Sequence, residues 1–219
     1  MPRLLFEKTD SAIWISHLDL MRLFQRAFKR AGLPLTHTHG FNPRPSVSIA
    51  LPLSVGVESR CELLDFELMD CDASNEEIKS KLNAALVAGV TVLDVFEGGR
   101  KIRDLSLLEC QIVLEYDSGI PEATIAEITA LFRQKEIIVP KKTKSGIQDQ
   151  NIADMIHNFE IQAISDREVE ICALICCQNP TLNPAQIPLA IEKYLPQLKP
   201  DFSKCNRIEI YDIKKNIFR

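Results

Sequence analysis

The order in which helical and extended segments follow one another is the feature that most constrains the fold of this chain. Residues 62–69 alternate between apolar and acidic side chains, which predicts a strand with one buried face. Apolar residues at helical spacing predict helices over residues 17–31 and 74–86, and short apolar runs predict strands before, between and after them. Residues 1–99 therefore have the order strand, helix, strand, strand, helix, strand.

The same order of elements is expected in residues 107–219, without any visible repeat of the sequence itself. The expected strands and helices are 110–116 (strand), 121–134 (helix), 136–140, 159–164 and 168–177 (strands), a helix from Asn183 to about Leu195, and 207–213 (strand). This order is the signature of a ferredoxin-like unit. We predict an α+β protein of two tandem ferredoxin-like βαββαβ domains, residues 1–99 and 107–219, with antiparallel sheets.

The first predicted helix has well-defined ends and one basic face. Ser16 is suited to cap its first turn, and Asp19 lies where a carboxylate favours the helix N-terminus. Gly32 and Pro34 end the helix. Its basic residues fall together on one face: Arg22, Arg26, Lys29 and Arg30. Such a face is either a solvated helix surface or a surface that binds anions such as phosphate.

Charge is distributed unevenly along the chain. Residues 1–60 contain eight Lys and Arg against four Asp and Glu, a net charge of +4, whereas the whole chain has a formal charge of −4. A basic first quarter followed by an acidic remainder indicates one localised site for an anionic partner. We do not expect nucleic acid to bind over the whole surface of the protein.

A stiff loop follows the basic helix, with the sequence Gly-Phe-Asn-Pro-Arg-Pro over residues 40–45. Its two prolines fix the backbone, and Gly40 permits a tight conformation. The loop presents Phe41, Asn42 and Arg44, which suit stacking on a base and hydrogen bonding to it. Alternatively, the loop is a structural connector with Phe41 buried. If it binds a ligand, we expect it to share one cleft with the basic helix face.

Histidine supplies the candidates for proton transfer. His17, in the first turn of the helix with Asp19 nearby, is either a capping residue or a general acid or base. His37 and His39 are two residues apart, a spacing that can chelate a metal with His17 as a third ligand. Histidine pairs on exposed strands rarely do so, and no metal site is predicted.

Composition excludes several classes of protein. No apolar run reaches 18 residues, and the first residues lack a signal-peptide pattern, so we expect a cytoplasmic protein that does not span a membrane. The seven cysteines are expected to be reduced, because their number is odd and no C-x-x-C pair recurs. P-loop, G-x-S-x-G, H-E-x-x-H and C-x-x-x-C-x-x-C motifs are absent from the sequence.

The ordered motif in the first quarter resembles the radical-SAM-associated, or radical-SAM-linked, protein family, a bacterial domain of unknown function. The residues that carry the resemblance are Ser16-His17-Leu18-Asp19, Arg22, Arg26-Ala27, Arg30 to Pro34, Gly40 to Pro45, Pro52-Leu53, Gly56 to Ser59 and Glu62. The resemblance implies a radical-SAM protein as partner, which would carry an iron–sulfur cluster and S-adenosylmethionine, with no cofactor in this chain. It also implies an RNA-related task. His37 and His39 depart from the family pattern.

These observations support three hypotheses about function. In the first, the chain binds structured RNA for a radical-SAM enzyme. Phe41 and Asn42 would contact a base, and the phosphates would be bound by Arg22, Arg26, Lys29, Arg30 and Arg44. In the second, it is an enzyme that processes or modifies RNA, with His17 as general acid or base and Asp19 orienting it. In the third, the basic helix docks on an acidic protein and no nucleic acid takes part.

Overall fold

A computed structural model describes residues 1–39, 41–143 and 146–219 of the chain. These residues form two units. Unit 1 contains residues 1–104 together with Phe218 and Arg219, and unit 2 contains residues 105–217. Each unit combines two α-helices with an antiparallel sheet, so the predicted α+β class is confirmed. Within the described part of the chain, no helix has the length and apolarity needed to cross a membrane.

Unit 1 has the predicted order of strands and helices. Its elements are β1 (Pro2–Lys8), α1 (His17–Arg30), β2 (Val47–Ile49), β3 (Val57–Phe66), α2 (Asn75–Ala85) and β4 (Val90–Glu97). Its strands lie in the order β4-β1-β3-β2, and every neighbouring pair is antiparallel. The two strands that meet in the middle, β1 and β3, are therefore hydrogen-bonded on both edges.

The core of unit 1 lies between this sheet and the apolar face of α1. Alternation along β1 points Leu4 and Phe6 to the same side of the sheet, and both are fully buried. The ring of Phe6 contacts that of Phe24 edge-on at 4.7 Å between centroids, and the ring of Phe28 lies 5.0 Å from that of Phe66. These contacts fix which face of α1 is buried, and so leave its arginines on the outside.

Unit 2 contains a similar set of elements with an added hairpin. They are β5 (Leu105–Glu115), α3 (Thr124–Phe132), β6 (Ile138–Thr143), β7 (Gly146–Asn151), β8 (Ile156–Ala163), β9 (Glu168–Cys176), α4 (Gln186–Tyr194) and β10 (Phe202–Asp212). The main strands lie in the order β10-β5-β9-β8, all antiparallel, while β6 and β7 pair only with each other. Residues 144 and 145, between β6 and β7 in the sequence, lie outside the described residues.

Asp10–Trp14 form a 3-10 turn, and β3 begins at Val57. One local expectation was wrong. The last helix begins at Gln186 rather than at Asn183, because the Asn183 side chain accepts the amide of Ala185 at 3.1 Å and forms a turn ahead of the helix.

Candidate functional site

The first turn of α1 is closed by Ser16 and Asp19, as the sequence indicated. The Ser16 hydroxyl accepts the amide of Asp19 at 3.2 Å and donates to Asp19 Oδ2 at 2.8 Å. Arg22 Nη1 donates to Asp19 Oδ1 at 2.9 Å. The Ser16 hydrogen bond and then the Arg22 guanidinium lower the pKa of Asp19, so this carboxylate is ionised. Both of its oxygens bind neighbours other than His17.

His17 is the first residue of α1 and is half-buried. Its Nδ1 atom is shielded from solvent and has no hydrogen-bond partner among the described residues. Any exchange of a proton between this ring and a ligand therefore goes through Nε2. In a catalytic pair, Asp19 would contact His17 and orient its ring. In this structure Asp19 instead binds Ser16 and Arg22 in the helix cap.

A groove of about 510 Å³ runs along the basic face of α1. It combines guanidinium groups with an apolar surface, and its lining consists of Ile15, Asp19, Arg22, Leu23, Arg26, Arg30 and Val87. Arg30 Nη2 donates to the carbonyl of Ala85, the last residue of α2, at 2.6 Å. Arg22 is paired with Asp19, whereas the exposed Arg26 side chain forms no hydrogen bond or ion pair in the described part of the chain and contributes only its charge to lowering the pKa of Asp19. Arg26 is therefore the guanidinium most available to a ligand.

Residues 41–45 of the loop after α1 belong to an arm, which we define as residues 36–39 and 41–46. Its two sides are paired: the amide of Thr38 donates to Arg44 O and the amide of Ser46 donates to Thr36 O, both at 2.8 Å. The arm is attached to the end of β3, where the amide of Thr36 donates to Glu67 O at 2.9 Å. The prolines and this pairing together make the arm a stiff projection.

The tip of the arm is open to solvent. Phe41 has 104% of the reference exposure, and Asn42 and Arg44 are also exposed. The alternative in which Phe41 is buried in a structural connector is therefore wrong. His37 and His39 are exposed on the arm as well. Gly40, for which we predicted a tight backbone conformation, lies outside the described residues.

The groove extends along α1 from Asp19 to Arg30, and the arm follows the end of the same helix at Arg30. A helix rises by about 1.5 Å per residue, so the ends of α1 at His17 and Arg30 are roughly 20 Å apart. Asp19 and Arg22 lie toward the first end, Arg26 and Arg30 lie toward the second, and the arm follows Arg30. The structure thus brings Asp19 and three arginines together in the groove, while its lining includes no arm residue. Lys29 lies on the exposed side of α1, outside the groove lining.

The sequence carries the signature of a bacterial family. The model of the uncharacterized protein family conserved in bacteria, DUF2344, matches residues 2–184. The chain belongs to this family. The matched range includes α1, the groove and the whole arm. No curated protein matches the chain.

Solved structures resemble this DUF2344 protein in fold. A chain of a Cbf5–Nop10–Gar1 complex matches with a TM-score of 0.53 and 10% identity, over 95% of this protein and 48% of that chain. A chain of an H/ACA RNP bound to a substrate RNA containing 2'-deoxyuridine matches with a TM-score of 0.51 and 10% identity, over 94% of this protein and 46% of that chain. The protein therefore spans about half the length of the chains it matches, and at this identity the likeness concerns the fold alone.

One residue that supports the site in this DUF2344 protein was not identified from the sequence. Lys8, at the end of β1, is fully buried. Its Nζ donates to the carbonyl oxygens of Ile13 at 3.0 Å, Ile15 at 3.2 Å and Ser54 at 3.4 Å. It thereby holds the backbone that leads into the Ser16 cap. The available signal was alternation, since Lys8 continues the inward-facing series of Leu4 and Phe6.

Proposed function

We propose that this protein is an RNA-binding accessory protein that presents its substrate to a radical-SAM enzyme. The observation that carries the proposal is the fully exposed ring of Phe41, held on a proline-stiffened arm beside Asn42 and Arg44. Covering a fully exposed aromatic ring with a ligand removes its apolar surface from water, which favours binding. Unpaired bases stack on such rings, and their edges accept and donate hydrogen bonds to amide side chains.

The basic face of α1 supplies the second half of the proposed interface. Guanidinium groups bind phosphate oxygens through two parallel hydrogen bonds, a geometry that Arg26 is free to offer. Five side chains are assigned to phosphate contacts: Arg22, Arg26, Lys29, Arg30 and Arg44. The apolar floor of the groove suits a nucleotide better than a bare anion, because it gives a sugar or base a surface to contact. The fold shared with a chain of an RNA-bound H/ACA RNP supports RNA binding in general, and not the assignment of particular side chains.

A salt titration of RNA binding tests the proposal. Four or five phosphate contacts with a single strand predict a slope of log K against log salt of about −3 to −4. A slope of only about −1 would mean that the basic face does not engage the backbone. The Arg26→Gln variant should make the slope shallower by about 0.7. Lys101→Gln, an exposed cation of the same unit outside the groove, is the matched control and should leave the slope unchanged.

The radical-SAM partner is proposed from the resemblance of the motif over residues 16–62. The iron–sulfur cluster and S-adenosylmethionine would be bound by the partner. Native purification of the complex, with and without nuclease treatment, separates this arrangement from simple protein docking. Loss of the partner after nuclease treatment would support an RNA-mediated complex. A protein-only complex that survives nuclease and has no affinity for RNA would instead favour docking of the basic helix on an acidic protein.

We further propose that residues 1–99 and 107–219 are two ferredoxin-like domains. What supports this is the strand order within each unit: β4-β1-β3-β2 in unit 1 and β10-β5-β9-β8 in unit 2 are the same arrangement of first, second, third and fourth strand. In this interpretation β6 and β7 are an insertion between the first helix and the second strand of the second domain.

A second candidate function is an enzyme that processes or modifies RNA through His17. The observation that favours it is the buried Nδ1 of His17, which has no partner in the described part of the chain and so leaves Nε2 to interact with a ligand. Incubation of total RNA with the wild-type protein and with His17→Ala tests this. RNA that stays unchanged in both samples would exclude the enzyme, whereas a product formed only by the wild type would support it.

A further inference from the structure

The edge of the unit 2 sheet carries an irregularity at His157. In the pairing of β8 with β9, Ile156 lies opposite Ile175 and Asn158 lies opposite Leu174, so two steps on β8 match one step on β9. His157 is therefore the extra residue of a β-bulge. Bulges at sheet edges change the direction of a side chain, and they are often found beside functional sites.

The bulge brings the imidazole of His157 against a thiol. His157 Nε2 lies 3.2 Å from Cys176 Sγ, on the neighbouring strand β9. The histidine is exposed and the cysteine is partly exposed, on the less buried face of β9 that it shares with Cys172. A nucleophile and a base within hydrogen-bond reach of each other, both accessible from solvent, form the minimal arrangement that activates a thiol.

We propose that Cys176 is a reactive thiol and a site of reversible modification by low-molecular-weight disulfides, with His157 as the base that takes its proton. In the reaction the Cys176 sulfur attacks one sulfur of the disulfide and a new S–S bond forms. The original S–S bond breaks, and its electron pair leaves with the departing thiolate. The proton released by Cys176 is held by His157 and then passes to the departing thiolate. A free thiol reverses the reaction by the same route.

The reactivity depends on the imidazole, because the protein environment alone works against it. Burial raises the pKa of the Cys176 thiol, which lowers the fraction of thiolate. Cys172 shows what happens without a histidine. It lies on the same face of β9, and burial together with the neighbouring Glu170 carboxylate raises its pKa to about 11. Cys172 is thus an unactivated thiol in the same strand and serves as an internal control.

Competitive alkylation of the folded wild-type protein tests the proposal. A limiting amount of iodoacetamide is added near neutral pH, and peptide mass spectrometry then measures the rate of labelling at each cysteine. Cys176 should react about tenfold faster than Cys172 or more. Oxidised glutathione, used as the disulfide probe, should form its mixed disulfide at Cys176 first. Equal rates of alkylation at Cys176 and Cys172 would overturn the proposal.

The His157→Gln variant separates activation from simple accessibility. Glutamine retains a polar side chain at the bulge but is not a base at this pH, so the rate at Cys176 should fall about tenfold toward that of Cys172. The rate at Cys172 should not change. An unchanged rate at Cys176 in this variant would exclude His157 as the base. Labelling of the buried Cys177 in this variant would show that the sheet has loosened. In that case the ratio of the alkylation rate at Cys176 to that at Cys172 in the wild-type protein decides the question.

Discussion

Lys8 stabilises unit 1 by satisfying at least three backbone carbonyls with one buried ammonium group. We expect Lys8→Met to fill a similar volume but to leave the carbonyls of Ile13, Ile15 and Ser54 without this donor. Each unsatisfied buried group costs about 1–3 kcal/mol, so the free energy of unfolding should fall by roughly 3 kcal/mol or more. Trp14, the single tryptophan and a residue of unit 1, reports this by its fluorescence in denaturant.

Lys101→Met is the matched control for this experiment, because Lys101 belongs to the same unit and is exposed. A surface substitution of this kind changes stability by about 0.5 kcal/mol or less. If Lys8→Met behaved like Lys101→Met, the hydrogen bonds of the ammonium group would not contribute to the stability of unit 1.

The environment of Tyr116 in unit 2 predicts that the stability of the folded protein depends on pH in the alkaline range. Its hydroxyl donates to the carbonyl of Leu198 at 3.0 Å, and burial, assisted by the Asp201 charge, raises its pKa to about 12. The folded state therefore favours the neutral phenol. This stabilisation is complete below a pH of about 10 and is lost as the pH rises through 12.

Rapid alkaline titration, followed by the ultraviolet absorbance of phenolate, should show Tyr116 ionising about two pH units after an ordinary phenol. Tyr116→Phe should remove this late step and leave the other steps in place. Ionisation of all three tyrosines together near pH 10 in the folded protein would contradict the assignment.

At the scale of single elements, the exposed arm supports the proposed binding of RNA. We expect Phe41→Ala to weaken binding of a single-stranded RNA by about 1–3 kcal/mol, the usual contribution of one stacked base. Thermal stability should not change, because the ring buries no surface in the free protein. Fluorescence anisotropy with a labelled oligonucleotide measures the affinity. Ile213→Ala, another exposed apolar side chain, is the control, and an affinity loss equal to that of Phe41→Ala would remove the special role of the arm.

Elements with strong local signals could be predicted from the sequence, and elements that depend on distant partners could not. Ser74 and Glu77 have the spacing that is typical of a capping box, and this capping box is present at the start of α2. The strand β2 is only three residues long because its length is set by pairing with β3, which no local pattern reveals. A strand was expected over 136–140, where β6 covers Ile138–Thr143, but its partner β7 was not assigned because Gly146–Asn151 is short and mostly polar.

The same distinction applies to the candidate site. The arginines of α1 share a face because helical spacing dictates it. The groove itself does not follow from the sequence, because Val87, which follows α2, completes its lining and the arm does not take part in it. The exposure of Phe41 does not follow from the sequence, because an aromatic residue between polar neighbours is equally compatible with burial under another segment. Lys8 was missed for a similar reason, since a lysine at the end of a strand is usually at the surface.

At the scale of the whole molecule, residues from the beginning, the middle and the end of the chain meet in unit 1. Phe218 is completely buried there, with its ring 4.8 Å from Arg100 Cζ and 5.6 Å from Arg3 Cζ. Arg3 is in turn held by Asp65, with Nε to Oδ1 at 2.6 Å, and its Nη2 donates to Arg100 O at 3.0 Å. The Arg3–Asp65 ion pair and the ring of Phe218 thus hold the last residues of the chain in unit 1.

We therefore expect Phe218→Ala to destabilise unit 1 even though it lies more than a hundred residues from the rest of that unit. Removing a fully buried phenylalanine side chain costs about 3–5 kcal/mol, and here it also uncovers the guanidinium of Arg3. Denaturant unfolding followed by Trp14 fluorescence should show a clearly lower midpoint. Phe202→Ala, which removes the same ring from an exposed position of unit 2, should leave this midpoint in place. Equal unfolding midpoints for the two variants would mean that the last two residues do not contribute to the stability of unit 1.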